Sequence, residues 1–175
     1  MSRMPWADAR PNALRSEMSH VAGSRNRARH HGQGRDWATP PEIFEPLDRE
    51  FGFTLDPCCT EQTAKAPEFF TERDDGLSRP WAPHRVFMNP PYGREIPAWT
   101  QKALSESRAG ALVVGLLPAS TDSAWWHRDV VDVGAEVRYI RGRVRFVTSD
   151  GSFNSPFTPV LLVIWRPADA LELSA

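Results

Sequence analysis

Apolar positions recur along this chain in two rhythms, and the change from one to the other marks its elements. Ile43, Phe44, Leu47 and Phe51 fall three and four residues apart, which puts them on one side of a helix. Thr39-x-x-Glu42 ahead of them reads as a capping box, with prolines in the first helical positions, where no N–H is needed. Gly52 is placed to stop this helix, and Pro46 is expected to kink it. Phe53-Thr54-Leu55 predicts a short buried strand, Thr60 to Ala66 a short helix, and Glu68-Phe69-Phe70 a second strand. Val86-Phe87-Met88 predicts another. Ile96, Trp99 and Ala103 return to helical spacing, so Glu95 to Ser107 reads as a helix packed on a sheet. Ala111 to Leu117 is unbroken apolar sequence, as in a central parallel strand covered on both faces. A helix around Ser123 to Val131 carries Trp125 and Trp126, each assignable to the core or to a pocket wall.

The remainder is strand-like. Glu136 to Ile140 predicts one strand, Gly142 to Val147 alternates basic and apolar as a half-exposed strand does, and Val160 to Trp165 predicts a last buried one. Strands and helices alternate from Thr39 to Leu117 before this β-rich end. The expected class is therefore α/β, a Rossmann-like, mostly parallel sheet with an antiparallel edge and a C-terminal hairpin. Residues 1–35 follow neither rhythm, and Ser24 to Arg35 is rich in Arg, Gly and His. They predict a loosely ordered arm, with residues 36–175 as one globular domain.

Composition narrows the class. A chain of 175 residues, 41% hydrophobic and 25% charged, suits one soluble domain with a substantial core. No apolar run reaches the length of a membrane span and no signal-peptide core stands at the start, so a cytoplasmic protein is expected. Cys58 and Cys59 are adjacent and the histidines scattered, which fits neither a disulfide framework nor a metal centre. The net charge of −1 hides an uneven distribution: residues 1–35 carry +5 and the rest −6. Arginines in the arm either lie along phosphates or belong to a solvated tail. Arg141, Arg143 and Arg145, with Arg138, form the basic cluster of the folded part, either a phosphate-contacting edge or a charged edge that discourages aggregation.

Chemistry concentrates in Asn89-Pro90-Pro91-Tyr92. Prolines give no N–H to a sheet ladder, and Asn89 before a proline is pushed towards an extended conformation. The result is a stiff strand-end corner with bare carbonyls, one amide side chain and one aromatic face. The Asn89 side-chain oxygen and the Pro90 carbonyl can each accept from an amino group on a planar ring, with Tyr92 stacking on that ring. Such acceptance frees the nitrogen lone pair to attack an electrophile. The tetrapeptide alone fits adenine N6, cytosine N4, guanine N2 of RNA or a glutamine side chain, and a turn-forming loop without chemistry also uses these residues. Asp56-Pro57-Cys58 closes the first strand of the sheet, where α/β folds bind ligands. The glycine-rich phosphate loop is missing there, which argues against dinucleotides and triphosphates. A carboxylate among small residues suits an ammonium group or ribose hydroxyls.

Taken together, Asp36-Trp37-x-Thr39-Pro40, Phe51 to Cys58, Asp74-Asp75-Gly76-Leu77-x-x-x-Trp81, Val86-x-x-Asn89-Pro90-Pro91-Tyr92-Gly93-Arg94, Leu116 to Asp122 and Gly142 to Phe146 stand in one order. In that order they resemble the phage-type DNA N6-adenine methyltransferases, the Dam-like proteins of phages and prophages, over about residues 36–166. The resemblance implies transfer of a methyl group from S-adenosylmethionine to adenine N6 in DNA, without a metal, a membrane or an obligate protein partner. It further implies that Trp37, Thr39 and Pro40 touch the methionine part of the cofactor, that Asp56, Pro57 and Cys58 form the first cofactor motif, and that Asp75 contacts the cofactor's adenine. Asn89, Pro90, Pro91 and Tyr92 correspond to the catalytic motif. Two departures stand out: Asn89 replaces the aspartate of many such enzymes, and the carboxylate expected for the ribose is represented only by Glu68 or Glu72. A DNA-binding protein without catalysis remains the alternative from another class, and it would bind DNA indifferently to S-adenosylmethionine.

Overall fold

The computed structural model describes residues 37–148 and 151–167. The arm read from residues 1–35, Asp36 and the Ser149-Asp150 part of the last turn lie outside them. Helix α1 (Pro41–Phe51) is followed by β1 (Leu55–Asp56), β2 (Glu68–Phe69), β3 (Arg85–Met88), α2 (Ile96–Arg108) and β4 (Leu112–Pro118). Helix α3 (Ala124–Trp126) continues as a π-helical turn over His127–Val131. Strands β5 (Glu136–Tyr139), β6 (Phe146–Val147), β7 (Phe153–Asn154) and β8 (Val160–Trp165) complete the described elements.

The main sheet has six strands in the order β2-β1-β3-β4-β8-β5, and β6 and β7 form a separate antiparallel hairpin. Ladders β1–β2, β1–β3 and β3–β4 are parallel, whereas β8 runs antiparallel to both β4 and β5. The antiparallel strand is therefore one place in from the edge, not at the edge as the sequence had led us to expect. The reason is burial: Val160 to Trp165 are all buried, while β5 carries the half-exposed Glu136 and Arg138 and the exposed Tyr139. At roughly 1.5–3 kcal/mol for each large apolar side chain removed from water, β8 belongs inside and β5 outside.

Alternation along the strands divides the core between two faces. Val86, Met88, Val113, Leu117, Leu161 and Val163 pack with Trp99 of α2 and Trp125 of α3. Phe87, Val114, Leu116, Leu162 and Ile164 pack on the other face with Leu47 and Phe51 of α1 and with Phe146 of the hairpin.

Two local expectations change. The capping box at Thr39 is not formed: Pro40 is the N-cap, and its carbonyl accepts from Ile43 N and Phe44 N at 3.0 and 3.1 Å. Helix α1 runs through Pro46 to Gly52, whose left-handed backbone (φ 61°) ends it as expected. Thr60 to Ala66 forms turns instead of a helix. One turn starts, with Ala64 N on the Thr60 carbonyl at 3.0 Å and Thr60 and Thr63 bonding each other's hydroxyls, but Lys65 N donates to the Asp56 carboxylate and so leaves the helical ladder.

One turn is fixed from two sides. Glu106 of α2 accepts from Trp81 N and Ala82 N, at 2.7 and 3.1 Å, and from Lys102 Nζ at 2.6 Å. The buried Trp81 indole in turn donates to the Gly76 carbonyl at 2.8 Å. A Cβ on Gly76 would lie 2.0 Å from the Pro57 carbonyl oxygen, so only glycine lets the 74–77 turn press on the loop after β1. Gly76→Ala should lower stability by about 1–3 kcal/mol, read as a reduced urea midpoint. An unchanged midpoint would mean that the two loops separate freely.

Candidate active site

The chain leaves β1 towards β2 on one side and returns to β3 on the other. Where successive connections diverge in this way, the loops at the carboxyl ends open a crevice. The two loops that flank it are Asp56-Pro57-Cys58 after β1 and Asn89-Pro90-Pro91-Tyr92 after β3. Topology thus brings together two segments that are distant in sequence.

At the corner after β3, Pro90 is buried and Asn89 is half-buried. Asn89 Nδ2 donates to the Trp37 carbonyl at 3.3 Å. An amide has a donor end and an acceptor end, so fixing the NH₂ on a carbonyl leaves Oδ1 as the end without a hydrogen bond among the described residues. Trp37 is itself held in place: Ala38 and Val147 exchange backbone bonds of 2.8 and 3.1 Å, and the Trp37 ring stacks on Phe146 at 5.2 Å and 20°. Tyr92 stands edge-on to both rings, and its hydroxyl donates to the Leu116 carbonyl at 3.1 Å. Burial pushes the Tyr92 phenol far up, so it remains a protonated donor.

Across the crevice, Asp56 is 3% exposed. Its carboxylate accepts from Cys58 N at 3.4 Å and Lys65 N at 3.1 Å, yet burial outweighs these bonds and pushes its pKa up from 3.8 to about 6. Burial also pushes the Cys58 and Cys59 thiols up, so neither is a thiolate nucleophile near neutral pH.

These loops border three hollows. The largest, about 870 Å³, is lined by Pro57, Cys58, Glu72, Asp75, Pro91 and Trp99 among others. A second, of about 340 Å³, is walled by Trp37, Tyr92, Ile96, Trp125 and the 154–158 segment. A narrow slot lined by Trp37, Thr39, Asp56, Cys58 and Asn89 shares Cys58 with the first and Trp37 with the second. Most of the sequence-selected residues therefore converge, but Pro40 and Pro90 are buried and line none of the three, Pro40 capping α1, and Arg141, Arg143 and Arg145 also line none. Proline at positions 40 and 41 and the bonds of Ile43 N and Phe44 N also leave the α1 N-terminus few donors for a carboxylate.

Asp75, at φ 51°, is exposed at the rim of the large cleft, and its carboxylate has no hydrogen bond among the described residues. Asp74 is held differently: its Oδ2 accepts from Thr71 Oγ1 and N at 2.7 and 2.8 Å, which holds its carboxyl below the usual range. Of the ribose candidates, Glu72 lines the large cleft, whereas Glu68 lies 3.8 Å from His84 at the exposed edge strand. The basic cluster is thinner than its sequence. Arg138 is bound to Glu50 and Glu136, and Arg143 Nη1 donates to the Pro156 and Phe157 carbonyls at 2.6 and 2.7 Å. Arg141 and Arg145 are exposed and lack an ion pair among the described residues. Two contributors had no signal as site residues. Trp99 reads as helical core, yet it lines the large cleft with a buried, unpartnered Nε1–H. Phe157 sits in a loop without periodicity.

A family model described as Dam, DNA N-6-adenine-methyltransferase, matches residues 28–174. The chain belongs to that family. It is a DNA N6-adenine methyltransferase, and of the nitrogens open to the tetrapeptide alone the match selects adenine N6. Methyltransferases of this family generally use S-adenosylmethionine. No curated protein matches the sequence. No helix among the described residues is long and apolar enough to cross a membrane.

The buried carboxylate gives the methyltransferase a distinct titration. Asp56 should titrate near pH 6 in the folded protein, followed by carbonyl-carbon NMR. Because the folded value lies above the unfolded one, its contribution to stability is full below about pH 4 and is lost as pH rises through about 6. A midpoint near 3.8 would show that the site is wetter than its burial implies.

Proposed function

We propose that the large cleft seats S-adenosylmethionine and that the Trp37–Tyr92 cleft seats the target adenine, with Asn89 at their junction. The sheet is then that of a Rossmann-like methyltransferase. What supports this is a mostly parallel order that diverges at β1, with both loops at the point of divergence. The residues fit the cofactor. Glu61, Glu72, Asp75 and Glu95 outnumber Arg73 around the large cleft, which favours a ligand carrying sulfonium and ammonium charges. Its volume of about 870 Å³ lies in the range of small-molecule sites.

On this reading Glu72 takes the ribose hydroxyls, Asp75 the amino group of the cofactor's adenine, and Asp56 the ammonium end, with Pro57 and Cys58 forming the floor. Trp37 and Thr39 close the slot at the methionine end, and buried Pro40 supports them from beneath. When bound, the cofactor supplies an electrophilic methyl group. Asn89 Oδ1 and the Pro90 carbonyl accept from the target amine and hold its lone pair in line with the reaction. Tyr92 and Trp37 enclose the base, which must leave the duplex because its N6 is otherwise paired. Pro91, lining the cofactor cleft next to Tyr92, keeps the corner rigid between the two ligands. Arg141 and Arg145 are the phosphate contacts on the folded part, and Arg143 serves as the anchor of the neighbouring loop.

What supports this reading most is the Asn89–Trp37 bond, which commits the amide nitrogen of a residue that lines the shared slot and leaves its oxygen to accept. Nucleoside mass spectrometry of treated DNA should show N6-methyladenine only when S-adenosylmethionine is supplied. Asn89→Ala should lower the rate at least about a hundredfold, the scale of losing one aimed transition-state group, while calorimetric cofactor affinity stays within about twofold. Retained methylation in that variant would remove Asn89 from the chemistry.

A further inference from the structure

We infer that Phe157 is a wedge that enters the DNA duplex and fills the gap left when the target adenine is extruded. The inference rests on the reading of the Trp37–Tyr92 cleft as the seat of that adenine. Phe157 is 88% exposed, and Phe153 on β7 is 68% exposed, so two phenyl rings project from one short segment. Exposed aromatic groups clustered beside a cleft mark a contact surface. Phe157 also lines the mouth of the cleft, with Asn154, Ser155 and Pro156 beside it and Trp37 and Tyr92 in its wall.

The backbone beneath the ring is fastened down. Arg143 Nη1 donates to the Pro156 and Phe157 carbonyls, Ser155 Oγ donates to the Val144 carbonyl at 2.8 Å, and Ala119 N donates to the Pro159 carbonyl at 2.8 Å. A stapled loop presents its apolar tip at low entropic cost. Charge selects the occupant. Residues 141–158 hold Arg141, Arg143 and Arg145 against Asp150, a net basic balance that suits a phosphate backbone. Aromatic and aliphatic side chains that push between base steps are a general means of stabilising unstacked DNA. The distance from duplex to enclosed base is bridged here by the same loop that forms the cleft's mouth.

The test uses the full chain and one DNA strand of a methylated sequence in three settings: paired in a duplex, opposite an abasic site, and single-stranded. Phe157→Ala should reduce duplex methylation about tenfold more than methylation of the other two substrates, which share the cleft lining but need no unpairing. Phe157→Leu should restore much of the duplex rate. 2-Aminopurine at the target position should brighten with the native protein and cofactor product, and fail to do so with Phe157→Ala. Equal losses on all three substrates, or none on the duplex, would overturn the wedge. So would a self-association lost in Phe157→Ala with the duplex rate per subunit intact, since the ring would then contact a second copy. If the native protein methylates none of the substrates, the active-site reading fails. The 2-aminopurine signal still judges the wedge, because it needs no methyl transfer.

Discussion

The orientation of one half-buried amide governs the candidate site. Asn89 lines the slot with its nitrogen held by the carbonyl of Trp37, a residue 52 positions earlier, so that its oxygen is the end left to accept. One such hydrogen bond contributes roughly 0.5–1.5 kcal/mol net, too little to fix a segment by itself. The fixing comes from behind. Ala38 pairs with Val147, Trp37 stacks on Phe146, and Tyr92 closes against both rings while bonding the Leu116 carbonyl in the central strand. Aromatic pairs of this kind add about 0.5–1.5 kcal/mol each beyond area burial. The small hairpin outside the main sheet is thus tied to the chemistry through the 37–38 segment, and its far end carries the loop that frames the second cleft.

The electrostatics of the crevice follow from dryness near the corner and wetness at the rim. Next to the corner, burial pushes Asp56 to about 6 and keeps the Tyr92 hydroxyl and the Cys58 thiol protonated. The slot at the proposed transfer point is lined by neutral groups, the reluctant Asp56 carboxylate and Lys65. A positively charged ligand end placed beside Asp56 would recover the ionisation that burial opposes. At the rim, Asp75 is exposed and Asp74 is committed to Thr71, so neighbouring carboxylates in one turn have opposite roles. Gly76 lets that turn press on the loop after β1, and Trp81 and Glu106 hold it there.

Much of this was legible in the sequence because the signals are local. The apolar runs of β4 and β8, the helical spacing of α2, the glycine stop at Gly52 and the Asn-Pro-Pro-Tyr corner each depend on a few adjacent residues. What escaped depends on contacts between distant segments. The helix expected after Thr60 stops after one turn because the distant Asp56 carboxylate takes Lys65 N, a contact that no helical pattern contains. The capping box failed by one position, because Pro41 starts the helix and so makes Pro40 the cap. Sequence alone made Arg138, Arg141, Arg143 and Arg145 one basic patch, whereas Glu50, Glu136 and two loop carbonyls claim half of it. Trp99 had a plain reading as core, and only its unpartnered indole nitrogen at the wall of the large cleft shows a second face.

The most direct measurement is a crystal structure of the protein with S-adenosylhomocysteine and a duplex containing a methylated site. The account predicts the nucleoside of the cofactor product in the cleft lined by Glu72, Asp75 and Trp99. It also predicts an extruded adenine between Trp37 and Tyr92, its N6 within hydrogen-bond reach of Asn89 Oδ1 while Nδ2 stays on the Trp37 carbonyl. An adenine seated away from the 89–92 corner, or an Asn89 amide reversed so that its nitrogen faces the base, would contradict it.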